Sequence, residues 1–221
     1  MKIAREKYIE QLDKWWNSNN NEALIVLGIK NVGKTTLILD WLKERRIKHS
    51  YFGEYQYNSI KDVFNNSKEK SFDTSLAIIN KMMFDSLEKL LIFDGVKPND
   101  EIIVQLKKLC SSSKHRYILI SDYGDYVFDN IRFLPVGSIR TLKVQPLDFK
   151  EYCHLKLNKY IMDSFLIAAS NRYNGKLLFS DAFEECWEEY SNFGGFPSVI
   201  SKLLEEGKPS AKREQIGRAH V

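Results

Sequence analysis

One segment constrains this chain more than any other: Gly28-Ile29-Lys30-Asn31-Val32-Gly33-Lys34-Thr35, which satisfies G-x-x-x-x-G-K-[ST] in full. It follows Ala23-Leu24-Ile25-Val26-Leu27, an apolar run without polar alternation, as expected of a strand buried on both faces of a parallel sheet. It leads into a stretch from Thr35 to Lys48 where Leu37, Ile38, Trp41 and Leu42 recur at helical spacing. Strand, glycine turn and helix in that order curl successive backbone N–H groups inward at the positive end of a helix dipole, which makes a cradle for phosphate oxygens. In such a cradle Lys34 reaches the β- and γ-phosphates and the Thr35 hydroxyl ligates Mg²⁺. The nucleotide-binding residues are then Gly28, Ile29, Lys30, Asn31, Val32, Gly33, Lys34, Thr35 and Thr36. The plainer alternative is a glycine turn with an incidental lysine.

A phosphate cradle of this kind needs an acidic residue at the end of a second buried strand, where it holds a water of the Mg²⁺ shell. Leu90-Leu91-Ile92-Phe93-Asp94 supplies Asp94. Ser121 ends a further strand, Arg116-Tyr117-Ile118-Leu119-Ile120-Ser121, where a polar group can lie near the γ-phosphate and the attacking water; otherwise it caps the turn into Asp122-Tyr123-Gly124. Lys34, Asp94 and Ser121 are the candidate catalytic set, and Thr35 and Asp94 the candidate Mg²⁺ site. Hydrolysis also needs a residue that orients water. Many such ATPases follow the strand-end Asp with Glu, but Gly95 stands here and cannot polarise water. Asp100, Glu101 and Glu54 are nearby carboxylates whose spacing does not compel the role.

The rest of the first 146 residues alternates in the same way. Residues 2–18 form an amphipathic helix; His49–Glu54, Lys89–Asp94, Arg116–Ser121 and Ile139–Val144 are strands; Ser71–Glu88 and Asp100–Cys110 are helices, the latter with Ile103, Leu106 and Leu109 on one face. Five strands joined by helical crossovers give an α/β fold with a mostly parallel, three-layer sheet. After Pro146 the strand pattern stops, and Leu147–Leu157, Ile161–Arg172, Leu177–Tyr190 and Pro197–Glu206 read as a small helical subdomain over 147–207. Residues 208–221 read as a disordered tail.

The net charge of +4 is interleaved with acidic residues, as in Lys43-Glu44-Arg45-Arg46, so nucleic acid is permitted but not indicated. Cys110, Cys153 and Cys186 are far apart in sequence, odd in number and in no CxxC arrangement, which favours buried thiols in a reducing compartment over a disulfide framework. The four histidines have no metal-ligand spacing. The charged start of the chain and the lack of an apolar run near ~20 residues predict a soluble, cytoplasmic protein without a membrane partner.

These residues together resemble the prokaryotic AAA-type P-loop ATPases that pair an N-terminal ATPase domain with a C-terminal domain of unknown function. The resemblance spans about residues 1–207 and rests on the Arg5-Glu6-Lys7-Tyr8 lead-in, Gly28 through Leu37, and the Asp94 strand. It also rests on Gln145-Pro146-Leu147-Asp148-Phe149-Lys150-Glu151-Tyr152 and Phe193-Gly194-Gly195-Phe196-Pro197, similar to the group's Pro-Leu-Ser-Phe-x-Glu-Phe and Gly-Gly-Phe-Pro segments. It implies a P-loop NTPase with strand order 5-1-4-3-2, a helical lid, and ATP as the nucleotide. The chain departs from the group at Lys30-Asn31, at Gly95 and at Gly137-Ser138; Arg132 and Arg140 remain candidates for a charge-stabilising arginine. The last six residues, Ile216 to Val221, resemble the translation of a sequencing adapter, from which a reading frame cut short of its C-terminal domain is expected.

The leading functional reading is an ATP-dependent switch that binds Mg·ATP, hydrolyses it weakly and signals to a protein partner through a C-terminal domain. A DNA-associated, initiator-like ATPase is the second, with Lys107, Lys108, Lys114, His115 and Arg116 as a modest basic cluster. A nucleotide-binding scaffold without turnover is the third, and Gly95 is its deciding feature. A small kinase is disfavoured, because only Arg172 supplies arginine between 146 and 207; a GTPase is disfavoured by the lack of Asn-Lys-x-Asp.

Overall fold

The computed structural model describes residues 5–18, 20–53, 89–96, 103–104, 106–107, 110–111, 115–122, 137–170 and 180–206. The chain divides into two compact units: Glu6–Val144, and Gln145–Val221 together with Met1–Arg5.

The first unit opens with α1 (Glu6–Trp16), continues with β1 (Ala23–Leu27), α2 (Lys34–Arg45), β2 (His49–Phe52), β3 (Leu90–Asp94) and β4 (Arg116–Ser121), and closes with β5 (Ile139–Lys143). All five strands pair in parallel, in the order β2-β3-β4-β1-β5, which is the predicted order read from the other edge. Every residue of β1 is buried, because the strand lies between β4 and β5 and is covered on both faces. That is why its sequence shows no alternation. The edge strands are different: β5 buries only Leu142 and β2 only Phe52, so polar residues are tolerated there.

Successive residues of each central strand divide between two cores. Ala23, Ile25, Leu27, Leu91, Phe93, Tyr117 and Leu119 face one side, where Ile103, Leu106 and Cys110, helical and buried, join them. Leu24, Val26, Leu90, Ile92, Ile118 and Ile120 face the other, against α1 and α2 through Tyr8, Leu12, Trp15, Ile38, Trp41 and Leu42. Each fully buried aliphatic or aromatic side chain contributes about 1.5–3 kcal/mol, so this two-sided burial is the main force holding the sheet between its helices. Trp15 and Trp41 are both fully buried, with centroids 6.4 Å apart.

Two boundaries differ from expectation for local reasons. The sequence predicts a helix to Lys48, but α2 stops at Arg45 because Arg46 is left-handed (φ 53°) and its N–H turns back to the Leu42 and Lys43 carbonyls. That reversal feeds the chain into β2. The lead-in helix is shorter than 2–18, and Arg116 closes its end by donating to the carbonyls of Trp15, Trp16, Ser18 and Asn20 at 2.5–3.2 Å. The expected helix Ser71–Glu88 and the tail 208–221 lie outside the described residues, as does Leu109.

The second unit contains α3 (Phe149–Lys156), α4 (Lys159–Ser170), α5 (Ser180–Phe193) and α6 (Pro197–Glu206). They close over Leu147, Tyr152, Cys153, Met162, Phe183, Cys186, Ile200 and Leu203. Asp148 starts α3 with a reciprocal cap: its carboxylate accepts from the Glu151 N–H at 2.8 Å, and Glu151 accepts from the Asp148 N–H at 2.9 Å. Buried Arg5 joins Glu151 at 3.3 Å and donates to the Gln145 carbonyl at 2.6 Å. Among the described residues no helix is long and apolar enough to cross a membrane.

Candidate functional site

The connections that leave β1 and β4 run in opposite directions along the sheet, and such a switch point opens a crevice at the carboxyl ends of the strands. The glycine segment occupies that place. Gly28 has no room for a side chain, since a β-carbon there would lie 2.3 Å from the Val144 carbonyl oxygen. Asn31 (φ 66°) and Gly33 (φ 86°) are both left-handed, which curls the loop back on itself. Val32 is buried and anchors the loop, while Ile29, Lys30 and Asn31 are exposed at its rim. Gly33 then starts α2 without a capping side chain, so the first-turn N–H groups face outward with the helix dipole behind them. Thr36, on that first turn, is exposed.

The Thr35 hydroxyl donates to Asp94 Oδ2 at 2.5 Å, which brings the two predicted Mg²⁺ residues together from α2 and β3. The Tyr51 hydroxyl donates to the same oxygen at 2.7 Å. Register explains this second contact: Tyr51 pairs with Ile92, and Ile92 and Asp94 point to the same face of β3. A hydroxyl and a carboxylate are hard oxygen donors of the type Mg²⁺ selects, and they converge below a loop shaped for polyphosphate, so these residues fit a Mg²⁺-nucleotide.

Lys34 is buried, and its ammonium group has three partners among the described residues. It donates to the Gly28 carbonyl at 3.0 Å and the Ile29 carbonyl at 2.8 Å, and it is ion-paired with Asp122 Oδ1 at 2.6 Å. Asp122 reaches it because β1 and β4 pair with Leu27 level with Ser121, which sets Asp122 level with Gly28. Ser121 itself is fully buried at the end of β4. Sequence reasoning missed Asp122 and Tyr51. The signal for Asp122 was its place directly after a buried strand; Tyr51 carries no local signal, because its role depends on which strand lies beside it.

Gly95 is left-handed (φ 82°), and its N–H is bonded to the Ile120 carbonyl at 2.9 Å. A side-chain-bearing residue would be strained in that conformation, although a β-carbon would meet nothing within 4 Å. Glu54, Asp100, Glu101 and Arg132 lie outside the described residues. Arg140 is committed elsewhere: it sits beside Leu24 near the amino end of β1 and is ion-paired with Glu22 at 3.0 Å, at the opposite end of that strand from Gly28. The basic cluster also changes meaning. Arg116 is spent on the end of α1, with its guanidinium 5.5 Å and 5.3 Å from the Trp15 and Trp16 ring centroids, and burial lowers its pKa. Lys108 and Lys114 lie outside the described residues. Among the described residues no group of three or more His, Cys, Asp or Glu side chains is arranged to hold a metal ion by itself.

The second unit explains its two motif segments. Leu147 donates its N–H to the Gly195 carbonyl at 2.7 Å, and Gly194 (φ 73°) ends α5 with its N–H on the Tyr190 carbonyl. Cys153 and Cys186, distant in sequence, are neighbours in this core.

Comparison with known proteins agrees with this architecture. The sequence pattern of the family described as "AAA domain" matches residues 20–153. An uncharacterised protein of Haemophilus influenzae is 23% identical over 207 residues, covering 90% of this chain and 44% of its own length. The chain thus spans less than half of that relative. An uncharacterised ATP-binding protein of Methanocaldococcus jannaschii is 36% identical over 50 residues, covering 23% of this chain and 85% of its own length. Among solved structures, the Saccharomyces cerevisiae Hsp104:casein complex in its extended conformation superposes with a TM-score of 0.50 at 11% identity, over 98% of this chain and 38% of that one, a likeness of fold. With the sheet order, the glycine loop and the family match in agreement, the chain belongs to the AAA domain family, as an AAA-type P-loop ATPase.

Proposed function

We propose that the sheet unit binds ATP with Mg²⁺ and works as a nucleotide-dependent switch with slow hydrolysis. The observation that carries this reading is the meeting of Thr35 and Asp94 at 2.5 Å, beside a loop whose lysine is held at its base. In this role the backbone N–H groups from Gly28 to Thr36 hold the phosphates, Lys34 contacts the β- and γ-phosphates, and Ser121 lies near the γ-phosphate end. Thr35 ligates Mg²⁺ and Asp94 holds its shell, with Tyr51 fixing the carboxylate. Bound Mg²⁺ would neutralise charge on the β- and γ-phosphates. The M. jannaschii relative, an ATP-binding protein, supports ATP as the nucleotide. The helical unit is the proposed lid, and partner recognition is sought in the part of the H. influenzae relative beyond the matched stretch.

Gly95 favours a second reading, a scaffold that binds nucleotide without turnover. The DNA-associated alternative draws less support, since Arg116 already serves α1. One set of measurements separates the three. Calorimetry should detect Mg·ATP binding that Lys34→Ala abolishes, and ligand at about 100 times its Kd should stabilise the fold by about 2.7 kcal/mol. Phosphate release above the Lys34→Ala background distinguishes the switch from the scaffold. Duplex DNA binding that weakens steeply with salt would favour the third reading. Failure to bind Mg-nucleotide in calorimetry would overturn the proposal.

A further inference from the structure

We infer that Asp122 is the catalytic carboxylate that orients the attacking water, taking the part that Gly95 leaves empty. The inference rests on the ATP-hydrolysing reading above.

The backbone itself argues that the water-orienting group must come from elsewhere than the end of β3. Gly95 is left-handed at φ 82°, with its N–H fixed to the Ile120 carbonyl, so the chain turns away after Asp94 in a conformation that disfavours a glutamate. Among the described residues of the sheet unit, Asp94 and Asp122 are the carboxylates that stand at strand carboxyl ends. Asp94 is engaged by Thr35 and Tyr51 through one oxygen, which suits it to the Mg²⁺ shell. Asp122 is the one aimed at the loop lysine.

Its position follows from the sheet. β4 lies between β3 and β1, and the pairing of Ser121 with Leu27 brings the next residue of each strand, Asp122 and Gly28, to the same level. From there Asp122 Oδ1 reaches 2.6 Å from Lys34 Nζ. The ammonium group has three protons, and among the described residues the Gly28 carbonyl, the Ile29 carbonyl and Asp122 take one each. A phosphate oxygen arriving at Lys34 must therefore displace one of these, and the carboxylate is the partner free to swing. Its side chain is 48% exposed, whereas the two carbonyls belong to the loop backbone. Repulsion between carboxylate and phosphate would turn the exposed Asp122 side chain away from Lys34, and because Lys34 contacts the γ-phosphate in the proposed complex, the carboxylate would stay near that phosphate.

In that place Asp122 accepts a hydrogen bond from the water. The water oxygen bonds to the γ-phosphorus, and the bond from that phosphorus to the β,γ-bridging oxygen breaks. Its electron pair leaves on the diphosphate. The proton lost by the water passes to the Asp122 carboxylate and from there to solvent, so the products are nucleoside diphosphate, inorganic phosphate and a proton.

The test uses the 221-residue chain, its Lys34→Ala variant as background, and Asp122→Asn and Asp122→Ser. Two quantities are measured for each: phosphate release under saturating Mg·ATP, and the Kd for a non-hydrolysable Mg-ATP analogue by calorimetry. Loss of a general base predicts that both Asp122 variants lose roughly 100-fold or more in turnover. The Kd for the analogue stays the same or falls, because a negative charge that competed for Lys34 is gone. Turnover within about threefold of wild type in Asp122→Asn, against that 100-fold expectation, overturns this assignment and leaves the ATPase reading intact. Loss of analogue binding in both variants also overturns it, because the residue then serves the loop rather than the reaction. Wild-type turnover no higher than Lys34→Ala overturns this inference and the hydrolysing switch together, and is distinguished by being a property of the unaltered chain.

Discussion

The Leu147 N–H donates to the Gly195 carbonyl at 2.7 Å, and a β-carbon on Gly195 would lie 2.0 Å from the Leu147 carbonyl oxygen. Two backbones therefore pass one another at a distance only glycine permits. The same Leu147 oxygen accepts from the Tyr190 hydroxyl at 2.7 Å, so the contact ties the entry of the helical unit to the end of α5. Gly195→Ala should destabilise that unit by at least the 1–3 kcal/mol typical of overpacking, because backbone rather than a side-chain tip must move. Urea unfolding followed by far-ultraviolet circular dichroism measures it; an unchanged midpoint would contradict the packing described.

Arg116 predicts a second loss of stability, in the sheet unit. Its guanidinium serves the carbonyls of Trp15, Trp16, Ser18 and Asn20, and Arg116→Met would strand them near the end of α1. A hydrogen-bonding interaction with a charged group contributes about 1.5–3 kcal/mol, and the variant is expected to lose that much in chemical denaturation. Its tryptophan emission should also shift, since two indole rings lie against the guanidinium.

Asp13 gives a dependence on pH. Hydrogen bonds from Arg45 first, and then from Trp41, hold its carboxyl below the usual carboxylate range. A depressed folded-state pKa means that the stabilisation is fully present above the unfolded-state pKa and is lost as pH falls through the folded-state value. Asp13→Asn should therefore melt below wild type at neutral pH, and the gap should close on acidification below the ordinary carboxylate range. A gap that persists unchanged in acid would show that the carboxylate charge is not the cause.

The thiols should be inert in the native state. Burial, together with the neighbouring Cys186 thiol, pushes Cys153 up to about 12, and burial also raises Cys110 and Cys186. The thiolate is the reactive form, so iodoacetamide at pH 8 should label none of the three rapidly until urea is added. Rapid labelling of any one without denaturant would show that its core opens.

Much of the fold was legible because burial on two faces leaves a strong trace. β1, β3 and β4 are runs of apolar residues without alternation, and their bounds agree with the sequence reading to within a residue. The reciprocal cap of Asp148 and Glu151 came from the structure, since in the sequence those residues read only as part of a segment similar to one of the group's. The end of α2 was not legible, because Arg46 adopts a left-handed conformation that its residue type does not favour. Arg116 and Arg140 read as available cations until the strands brought them to α1 and Glu22.

By itself the sequence determined the loop on which phosphate binding is proposed: two glycines, a lysine and a threonine at fixed spacing between a strand and a helix are a local matter of backbone conformation. Only the tertiary structure decided which side chains meet that loop. Tyr51 reaches Asp94, and Asp122 reaches Lys34, through parallel pairing of strands far apart along the chain. Lateral strand order is set by packing the whole sheet between its helices, and no short window of residues encodes it.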